Sequence, residues 1–377
     1  MRPLRIATLI TRLEGGAGAM ALRGARALDP REFAVTLITG NGDRLLAEAG
    51  DAGLPTVVEP ALRAPISPLA DARALHRLTA LLRRRDFDVV HTHCAKAGAL
   101  GRIAARRAGV PRVVHTYHGF PFHEFQSAAR RNAYIAVERS LGGLTDVALC
   151  VGTGVAVEAI RRELIPPERV RTTGVAVRTP GAAGDARREL GLPPEATVIG
   201  SVGRLVRQKA PEDFVSALGL LGQDVIGVWI GDGDCAERVR TAATRQGVRL
   251  VLPGRRDDVL GLLPAFDVFV LPSRYEGLPL AVVEAMHCRV PVVATAVNAL
   301  GDVVLPGVTG MLAPPARPAA LARAVRHLLD HPGEAAALAD AAQAHVRGRH
   351  TGADLAADLA AAYRPGPLPA ALSAAQL

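Results

Sequence analysis

The hydrophobic positions in the first half of the chain fall in short runs, and longer stretches with helical spacing separate them. The runs cover residues 5–11, 33–39, 88–94, 112–119 and 145–152. Short β-rich runs that alternate with helical stretches are typical of parallel sheets built from βα units. A glycine-rich turn is expected directly after the first run, at residues 15–18, followed by a helix to about Leu28.

The second half repeats this pattern after an interruption. Residues 178–198 are rich in Gly, Pro and Ala and predict a linker with a short helix. The apolar runs then resume at residues 197–205, 225–233, 249–254, 266–273 and 291–297, and we expect the second sheet to close with the last of them. Residues 321–329 and 335–347 have helical character, and residues 365–377 are expected to form a loose tail.

These patterns predict an α/β fold with two Rossmann-like domains. The first covers residues 1–178 and the second residues 179–347, and a C-terminal helix with the loose tail occupies residues 348–377. Two such domains that face each other leave a cleft at the carboxyl ends of their strands. Open α/β sheets bind their ligands at that position.

Length and composition indicate a globular protein of two or three domains. The chain has 377 residues, of which 49% are hydrophobic. The apolar run Leu4–Ile10 is too short for a signal peptide, and no window approaches the roughly 18 apolar residues of a membrane span. The four cysteines are far apart and form no C-x-x-C pair, so we expect reduced thiols in a cytoplasmic protein.

Basic residues are concentrated in the first half. Residues 1–178 hold 26 Lys and Arg against 16 Asp and Glu, whereas the remainder holds 19 against 20. We favour a solvated basic face as the explanation. The alternative is a surface that meets something anionic, such as a membrane leaflet or a phosphorylated acceptor. Nucleic acid is a poor fit, because aromatic residues make up only 3% of the chain and provide few stacking platforms.

Lysine is rare in this sequence. Of the 45 basic residues, only Lys96 and Lys209 are lysines. A lysine among so many arginines suggests a site that needs a compact ammonium on a flexible stem. The alternative explanation is that these two lysines have been retained by chance.

Two glutamates, eight positions apart, stand in the segment SRYEGLPLAVVEAMHC. Glu276 is expected in the loop after a strand, and Glu284 about a turn and a half into a helix that begins near Pro279, because proline favours the first helical position. The amides of Gly277 and Leu278 would then offer a phosphate site at the helix start, with sugar hydroxyls held by the carboxylates. On spacing alone, the better explanation of this pair is that Glu276 is a solvated loop residue and Glu284 is one polar position of a helix.

Three neighbouring segments favour a binding site for a nucleotide sugar. Arg204 and Lys209 directly follow the first strand of the second domain, where two cations can neutralise a diphosphate and stabilise it as a leaving group. The glycines of GDGDC follow the next strand and permit close approach of the backbone. The segment GRRDDV, which contains Arg255, follows a further strand and offers groups for a base or a ribose.

In this combination the sequence resembles the retaining glycosyltransferases of family 4. The segments GRL-x3-K, GDG, GRRDDV, DVFVLPSRYEGLPLAVVEAM, PVVAT and GVTGML follow in the order found in that family. The resemblance covers nearly all of residues 1–347 and is densest from Thr197 to Leu312. It implies the two-domain GT-B fold and a nucleotide-diphosphate sugar as donor.

The resemblance also implies roles for individual residues. Glu276 would contact hydroxyls of the donor sugar and Glu284 the ribose, and Arg204 and Lys209 match the diphosphate-binding pair. His118 matches the family's cleft histidine beside the donor sugar. The implied catalytic residues are His118, Arg204, Lys209 and Glu276, and the implied donor site is formed by Gly15, Gly16, Gly203, Arg204, Lys209, Arg255, Glu276, Gly277, Leu278 and Glu284.

The first domain matches the family less tightly. Gly15 and Gly16 match a glycine-rich loop that approaches the donor phosphate and the acceptor. No metal site is expected, because no carboxylate cluster or C-x-x-C pair completes a ligand set. Packing and hydrogen bonding near strand ends are expected for the other histidines of this region, His91, His93 and His115.

The sequence departs from the family pattern at three places. Residues 173–176 read Thr-Gly-Val-Ala where many members have Asn-Gly-Val-Asp, and residues 296–299 read Ala-Val-Asn-Ala where many have Asp-Val-Gly-Gly. Asp302 replaces a common glutamate. These changes leave the phosphate chemistry intact and leave the identity of the donor sugar open.

The predicted activity is glycosyl transfer with retention, from a UDP-hexose or UDP-N-acetylhexosamine to a hydroxyl of a saccharide, lipid-linked or natural-product acceptor. The resemblance implies front-face attack, with the leaving diphosphate taking the acceptor proton, and domain closure that orders both substrates. No cofactor and no strictly required metal are expected, because Arg204 and Lys209 supply the positive charge. Peripheral contact with the inner membrane face through the basic first domain is compatible with this activity.

Three alternatives stay open at this level. A nucleotide-sugar 2-epimerase shares the architecture but needs acid and base groups across the sugar, which His118 alone does not provide. A non-catalytic partner subunit would tolerate loss of Glu276, Arg204 or Lys209, and all three are present. A dinucleotide-binding reductase is disfavoured, because EGGAGAM lacks the G-x-G-x-x-G spacing.

Overall fold

The structure is a computed structural model that describes residues 2–178, 184–364 and 366. It divides into two compact units. The first unit runs to Ala176 and takes up the chain again from Thr351, and the second unit spans Val177–His350. The chain therefore returns to the first unit at its C-terminal end.

The described part of the first unit contains a seven-stranded parallel sheet in the order β3-β2-β1-β4-β5-β6-β7. Its strands are β1 Leu4–Leu13, β2 Phe33–Gly42, β3 Thr56–Val58, β4 Val89–His93, β5 Arg112–Tyr117, β6 Val147–Cys150 and β7 Val170–Thr172. Its helices are α1 Gly15–Ala27, α2 Arg44–Asp51, α3 Pro68–Arg85, α4 Ala95–Ala108, α5 Ala128–Gly142, α6 Thr153–Arg161 and, from the end of the chain, α14 Gly352–Tyr363, with a 3-10 turn at Pro167–Arg169.

The described part of the second unit contains a six-stranded sheet in the order β10-β9-β8-β11-β12-β13, which is also parallel. Its strands are β8 Thr197–Val202, β9 Val225–Ile230, β10 Leu250–Gly254, β11 Val268–Leu271, β12 Val292–Thr295 and β13 Met311–Ala313. Its helices are α7 Ala186–Glu189, α8 Pro211–Leu221, α9 Ala236–Arg245, α10 Val259–Leu262, α11 Leu280–His287, α12 Pro318–Asp330 and α13 Pro332–Arg347, with 3-10 turns at Arg207–Lys209, Leu263–Ala265 and Asn298–Asp302.

Each unit has its own hydrophobic core. Strands β4, β6, β9, β11 and β12 are buried at every position, as expected for parallel strands covered on both faces. In the second unit, Trp229 is fully buried and its ring meets that of Phe214 edge to face at 5.3 Å. Such aromatic pairs add about 0.5–1.5 kcal/mol beyond their area burial.

Helix α14 joins the first unit by packing on α1. Its first turn has a capping box, because Thr351 accepts a hydrogen bond from the amide of Asp354 and the Asp354 carboxylate accepts one from the amide of Thr351. A Cβ on Gly24 of α1 would lie 2.8 Å from Cδ1 of Leu359, so glycine at this position allows the close approach of the two helices.

Each sheet has a switch point, at which the order of the strands reverses. The chain builds the sheet in one direction, returns to the centre and continues in the other direction. The reversal lies between β1 and β4 in the first unit and between β8 and β11 in the second. Ligands of open α/β sheets bind at the carboxyl ends of the strands beside such a switch point.

The structure confirms the predicted α/β fold of two Rossmann-like units, and it corrects several details. Residues 15–18 do not form a turn, because α1 begins at Gly15. The second sheet does not close with the run ending at Val297, because β13 pairs with β12 beyond it. Strands β3, β7 and β13 were missed because each has only three residues.

The predicted short helix within residues 178–198 is present as α7. Part of that predicted linker, residues 179–183, lies outside the described residues. The predicted loose tail over residues 365–377 also lies outside them, except for Gly366.

Candidate active site

The carboxylate of Glu276 lies in the irregular segment between β11 and α11, and the residue is only 6% exposed. Its Oε1 is 2.6 Å from Nζ of Lys209, which belongs to the 3-10 turn after β8. Oε1 makes no hydrogen bond to any described residue, so the contact is an ion pair without hydrogen-bond geometry. Lys209 supplies the charge that a desolvated carboxylate needs, and Oε1 keeps its capacity to accept a hydrogen bond.

The two loops that meet in this ion pair are also joined through their backbones. The amide of Arg274 donates to the carbonyl of Gln208 over 2.9 Å, and the side-chain amide of Gln208 donates to the carbonyl of Tyr275 over 3.0 Å. These segments follow β8 and β11, the two strands at the switch point. The fold therefore places Lys209 and Glu276 where open α/β sheets bind ligands.

Glycines shape the turn after β8. A Cβ on Gly231 would lie 2.0 Å from the carbonyl oxygen of Gly203, so the ends of β8 and β9 approach too closely for any side chain there. Gly203 itself has φ +156° and lies against the stem of Lys209, whose Cε would be 3.3 Å from an added Cβ. The absence of a side chain at Gly203 thus leaves room for the lysine.

Arg204 follows Gly203 and is exposed. Among the residues that the structure describes, its guanidinium has no hydrogen bond or ion pair. An arginine without a protein partner at the carboxyl end of the sheet keeps its five donors for an anionic ligand.

Helix α11 begins at Leu280, one residue later than predicted, because the prediction made Pro279 the first helical residue. Pro279 is the N-cap of α11, and Gly277 and Leu278 precede the helix. Within the described residues, neither of their amides donates a hydrogen bond. Glu284 lies in the second turn of α11. Burial, together with the charge of Glu284, raises the pKa of Cys288 to about 11.

Arg255 follows Gly254 at the end of β10 and is exposed at the same edge of the sheet. Its neighbour Arg256 is bound within the protein, with its guanidinium held by the carboxylate of Asp258. The predicted donor residues of the second unit thus follow strands β8, β10 and β11, with Glu284 on α11. Their roles in donor binding stay predictions.

In the first unit the predicted residues lie near the ends of β1 and β5. Gly15, with φ +62°, and Gly16 open helix α1 directly after β1. His118 follows β5, and its Nε2 is 2.9 Å from Nδ1 of His93 at the end of β4. Burial lowers the pKa of His118 to about 4, so its imidazole is neutral at pH 7.

His91 and His115 lie among buried hydrogen bonds, as predicted. His91 Nδ1 meets the hydroxyl of Tyr363 at 2.7 Å, and its Nε2 meets Thr116 Oγ1 at 2.7 Å. His115 Nδ1 lies 2.8 Å from Thr92 Oγ1. Burial lowers the pKa of His91 to about 3 and that of His115 well below 6.5.

Sequence reasoning missed Gln208, Asn298 and Tyr363 as neighbours of the predicted residues. The amide of Asn298 donates to the backbone carbonyl of Glu276 over 2.5 Å. Asn298 stands within one of the noted departures from the family pattern, and this departure is the signal that could have identified it. Tyr363 carried no signal, because it lies in the C-terminal helix, 272 positions from His91.

The described residues contain neither a candidate membrane span nor a candidate metal site. No helix there is long and apolar enough to cross a membrane. No group of three or more His, Cys, Asp or Glu residues in the described ranges has the arrangement of a metal site.

Comparison with known proteins assigns the family. The profile described as "Glycosyltransferase Family 4" matches residues 14–179, and that described as "Glycosyl transferases group 1" matches residues 196–331. The UDP-Gal:alpha-D-GlcNAc-diphosphoundecaprenol alpha-1,3-galactosyltransferase of Escherichia coli is 33% identical over 300 residues, which are 76% of this chain and 77% of that protein. The chain belongs to glycosyltransferase family 4.

A further relative agrees with this assignment, and two solved structures share the fold. The D-inositol 3-phosphate glycosyltransferase of Actinosynnema mirum is 32% identical over 290 residues, covering 70% of this chain and 69% of that protein. Anabaena Alr3699/HepE in complex with UDP and glucose superposes with a TM-score of 0.83 at 20% identity over 95% of this chain and 98% of that one. WaaG, a glycosyltransferase of lipopolysaccharide biosynthesis, superposes with a TM-score of 0.78 at 16% identity, over 96% of this chain and 100% of that one.

These comparisons confirm the predicted family and the GT-B fold class, and they support a glycosyltransferase as the enzyme. The chain is a glycosyltransferase. The likeness to HepE and WaaG, below 25% identity, concerns the fold alone.

Proposed function

We propose that the chain is a retaining glycosyltransferase that moves a hexosyl or N-acetylhexosaminyl residue from a UDP-sugar to a hydroxyl of a saccharide, lipid-linked or natural-product acceptor. The observation that carries the proposal is the ion pair between Lys209 and buried Glu276 at the switch point of the second sheet. Exposed Arg204, without a protein partner among the described residues, follows the same strand as Lys209.

The charges at this site suit a donor with a diphosphate in the middle. Arg204 and Lys209 would bind the diphosphate, and the carboxylate of Glu276 would accept hydrogen bonds from sugar hydroxyls. Because Lys209 touches Glu276, one ammonium can offset both the carboxylate and the phosphate charge. Glu284 on α11 and Arg255 after β10 would hold the ribose and the base end of the donor.

Catalysis would come from stabilising the leaving group. Charge develops on the diphosphate as the glycosidic bond breaks, and preorganised cations and backbone amides are worth most at that moment. Arg204, Lys209 and the amides of Gly277 and Leu278 are the groups we assign to this task. With two cations in place we propose no strict need for a metal ion and no cofactor, and retention by front-face attack on the donor sugar.

UDP as the nucleotide is supported by similar proteins. The E. coli relative is described as using UDP-Gal, and HepE was crystallised with UDP and glucose. For Gly15, Gly16 and His118 of the first unit we propose the donor contacts that the resemblance to family 4 implies. A neutral His118 can hydrogen-bond a sugar hydroxyl without adding charge.

For the acceptor we favour a molecule that carries phosphate. Residues 1–178 have an excess of ten positive charges, 26 against 16. The names of two relatives each contain a phosphorylated acceptor, GlcNAc-diphosphoundecaprenol in one and D-inositol 3-phosphate in the other. In the segment between β5 and α5, Phe125 is 43% exposed, and Arg130 in the first turn of α5 is also exposed, so apolar and cationic surface lie close together along the chain.

A peripheral position at the inner membrane face would follow from a lipid-linked acceptor. Ile66 and Leu69 are 76% and 86% exposed at the start of α3. Lys96 fixes this region, with its Nζ 2.5 Å from a carboxylate oxygen of Asp71 and bonded to the carbonyl of Pro65. Arginines at positions 63 and 73 flank it.

Vesicle sedimentation tests the membrane contact. Vesicles with one third anionic lipid should carry down the protein, and Ile66→Asp with Leu69→Asp should reduce the bound fraction severalfold. Leu220→Asp, at a 62% exposed leucine of the second unit, is the matched control and should bind as wild type. Equal binding of all variants would remove this part of the proposal.

Thermal stabilisation by a ligand panel tests the donor assignment. We expect UDP, and one of UDP-glucose, UDP-galactose or UDP-N-acetylglucosamine, to stabilise the protein more than GDP or ADP does. A ligand at about 100 times its dissociation constant adds about 2.7 kcal/mol, a readily visible shift.

Two arginine variants give this experiment its control. Arg204→Ala should lose most of the shift, whereas Arg249→Ala should keep it, because Arg249 is exposed just before β10 at the opposite edge of the sheet. No shift with any nucleotide, or an equal loss in both variants, would overturn the donor site.

A further inference from the structure

The backbone of the Glu276 loop is held from two sides by side-chain amides. On the β8 side, Gln208 Nε2 donates to the carbonyl of Tyr275 over 3.0 Å. On the β12 side, Asn298 Nδ2 donates to the carbonyl of Glu276 over 2.5 Å. The loop has no regular structure between β11 and α11, so contacts of this kind replace the hydrogen bonds that a helix or strand would supply.

Each of these bonds fixes the direction of a neighbouring amide. A trans peptide unit is planar, and its carbonyl and N–H point in opposite directions. The described backbone contains no cis peptide. By holding the carbonyl of Glu276, Asn298 therefore fixes the direction of the Gly277 N–H, and by holding the carbonyl of Tyr275, Gln208 fixes that of the Glu276 N–H.

Asn298 meets a backbone requirement as well as supplying a donor. Its φ is +42°, in the left-handed region, which asparagine and glycine adopt most readily. Glycine satisfies the same backbone condition but has no side chain. The asparagine at this departure from the family pattern thus adds a hydrogen bond that a glycine there cannot make.

We infer that Asn298 is a positioning residue for the donor diphosphate, acting through the peptide unit between Glu276 and Gly277. It aims the Gly277 N–H at the distal phosphate of the donor and keeps the Glu276 side chain beside Lys209. This inference rests on the proposed function, because it assigns the Gly277 amide to a phosphate.

The affinity added by the distal phosphate measures this effect directly. The probes are UDP and UMP, which differ only in that phosphate. For Asn298→Gly we expect UMP to bind as to wild type, while the ratio of UMP to UDP dissociation constants falls about tenfold, because the Gly277 amide is no longer aimed at the distal phosphate and hydrogen bonds to charged groups are the stronger ones. UDP release from the UDP-sugar with water as acceptor should fall by a similar or larger factor.

Two further variants separate positioning from loop flexibility. Asn298→Asp keeps the size of the side chain and tolerates a positive φ, but it cannot donate a hydrogen bond to the carbonyl of Glu276. The lost hydrogen-bond donor is all that this variant shares with Asn298→Gly, so both should show the same defect. Ala316→Gly is the matched control, because Ala316 is exposed in the same unit and has φ +56°. It should bind both nucleotides and turn over as wild type.

The outcomes distinguish this inference from the proposed function. An unchanged UMP-to-UDP ratio in both Asn298 variants would overturn the inference and leave the donor site standing. An equal loss of UMP and UDP affinity would show a merely structural role and also overturn it. Failure of the wild-type protein to bind any nucleotide in the panel would overturn the proposed function itself.

Discussion

Lys209 shows what a single side chain contributes at the candidate site. Its ammonium is close to Glu276 Oε1, its side chain is only 14% exposed, and its stem lies against Gly203, where a Cβ would already be 3.3 Å away. An ammonium is compact, whereas a guanidinium is a broad planar fork. The enclosed position suits the smaller group, in a chain where 43 of the 45 basic residues are arginines, 45 less the two lysines.

We expect Lys209→Arg to lower the rate of sugar transfer by about 10- to 100-fold, because a displaced cation loses alignment with the leaving diphosphate. Steady-state kinetics with the UDP-sugar identified in the panel would measure this. Arg207→Lys, an exposed change in the same turn, is the control and should leave the rate within about twofold. Wild-type rates for Lys209→Arg would show that the rare lysine is a matter of chance.

At the scale of elements, a buried ion pair joins α4 to α5 beneath β5. Arg102 and Glu138 are 0% and 3% exposed, with 2.8 Å between Nη2 and Oε2, and Arg102 Nε also donates to the carbonyl of Gly98. The hydroxyl of Tyr117 donates to the same carboxylate oxygen of Glu138 over 3.2 Å. Tyr117 is the last residue of β5 and directly precedes His118, so this network supports the strand end that carries the histidine.

Breaking this pair from one side should cost more than removing it altogether. Arg102→Met leaves a buried carboxylate without its cation, and we expect the free energy of unfolding to fall by about 3–5 kcal/mol. The double variant Arg102→Met with Glu138→Leu removes both charges and should recover a large part of that loss. Urea unfolding followed by far-UV circular dichroism would measure both, and a double variant less stable than the single would contradict the argument.

At the scale of the whole molecule, the two units differ in their buried histidines. The first unit contains the cluster of His91, His93, His115 and His118, and burial lowers the pKa of each below the ordinary value of 6.5. In an unfolded chain these histidines take up protons near pH 6.5, whereas in the folded unit they stay neutral at that pH. The free energy of unfolding of the first unit must therefore fall as the pH drops below about 6.5, with a slope of up to about 1.4 kcal/mol per pH unit for each histidine.

We predict that the first unit unfolds at a higher pH than the second during acidification. The single tryptophan, Trp229, lies in the core of the second unit and reports on that unit alone when excited at 295 nm. The far-UV circular dichroism signal should begin to fall at a higher pH than the Trp229 emission changes. Coincident transitions would contradict the prediction and indicate that the two units unfold together.

The features of this protein that are encoded in short stretches of residues could be predicted from its sequence. The alternating apolar runs predicted the βα architecture, and the residues just after one of those runs pointed to Arg204 and Lys209, because a strand end is visible in a few consecutive residues. Gly203 and Glu276 were assigned to the donor site by the resemblance to family 4. The short strands β3, β7 and β13 carried no such signal.

Which of these residues contact one another depends on how the strands and helices pack. The ion pair of Lys209 with Glu276 depends on β8 lying beside β11, and the bond from Asn298 to Glu276 depends on β12 lying next to β11. Tyr363 reaches His91 only because the chain returns to the first unit after completing the second. Strand order and chain return come from the packing of whole elements into a shared core, and no local pattern of residues encodes them.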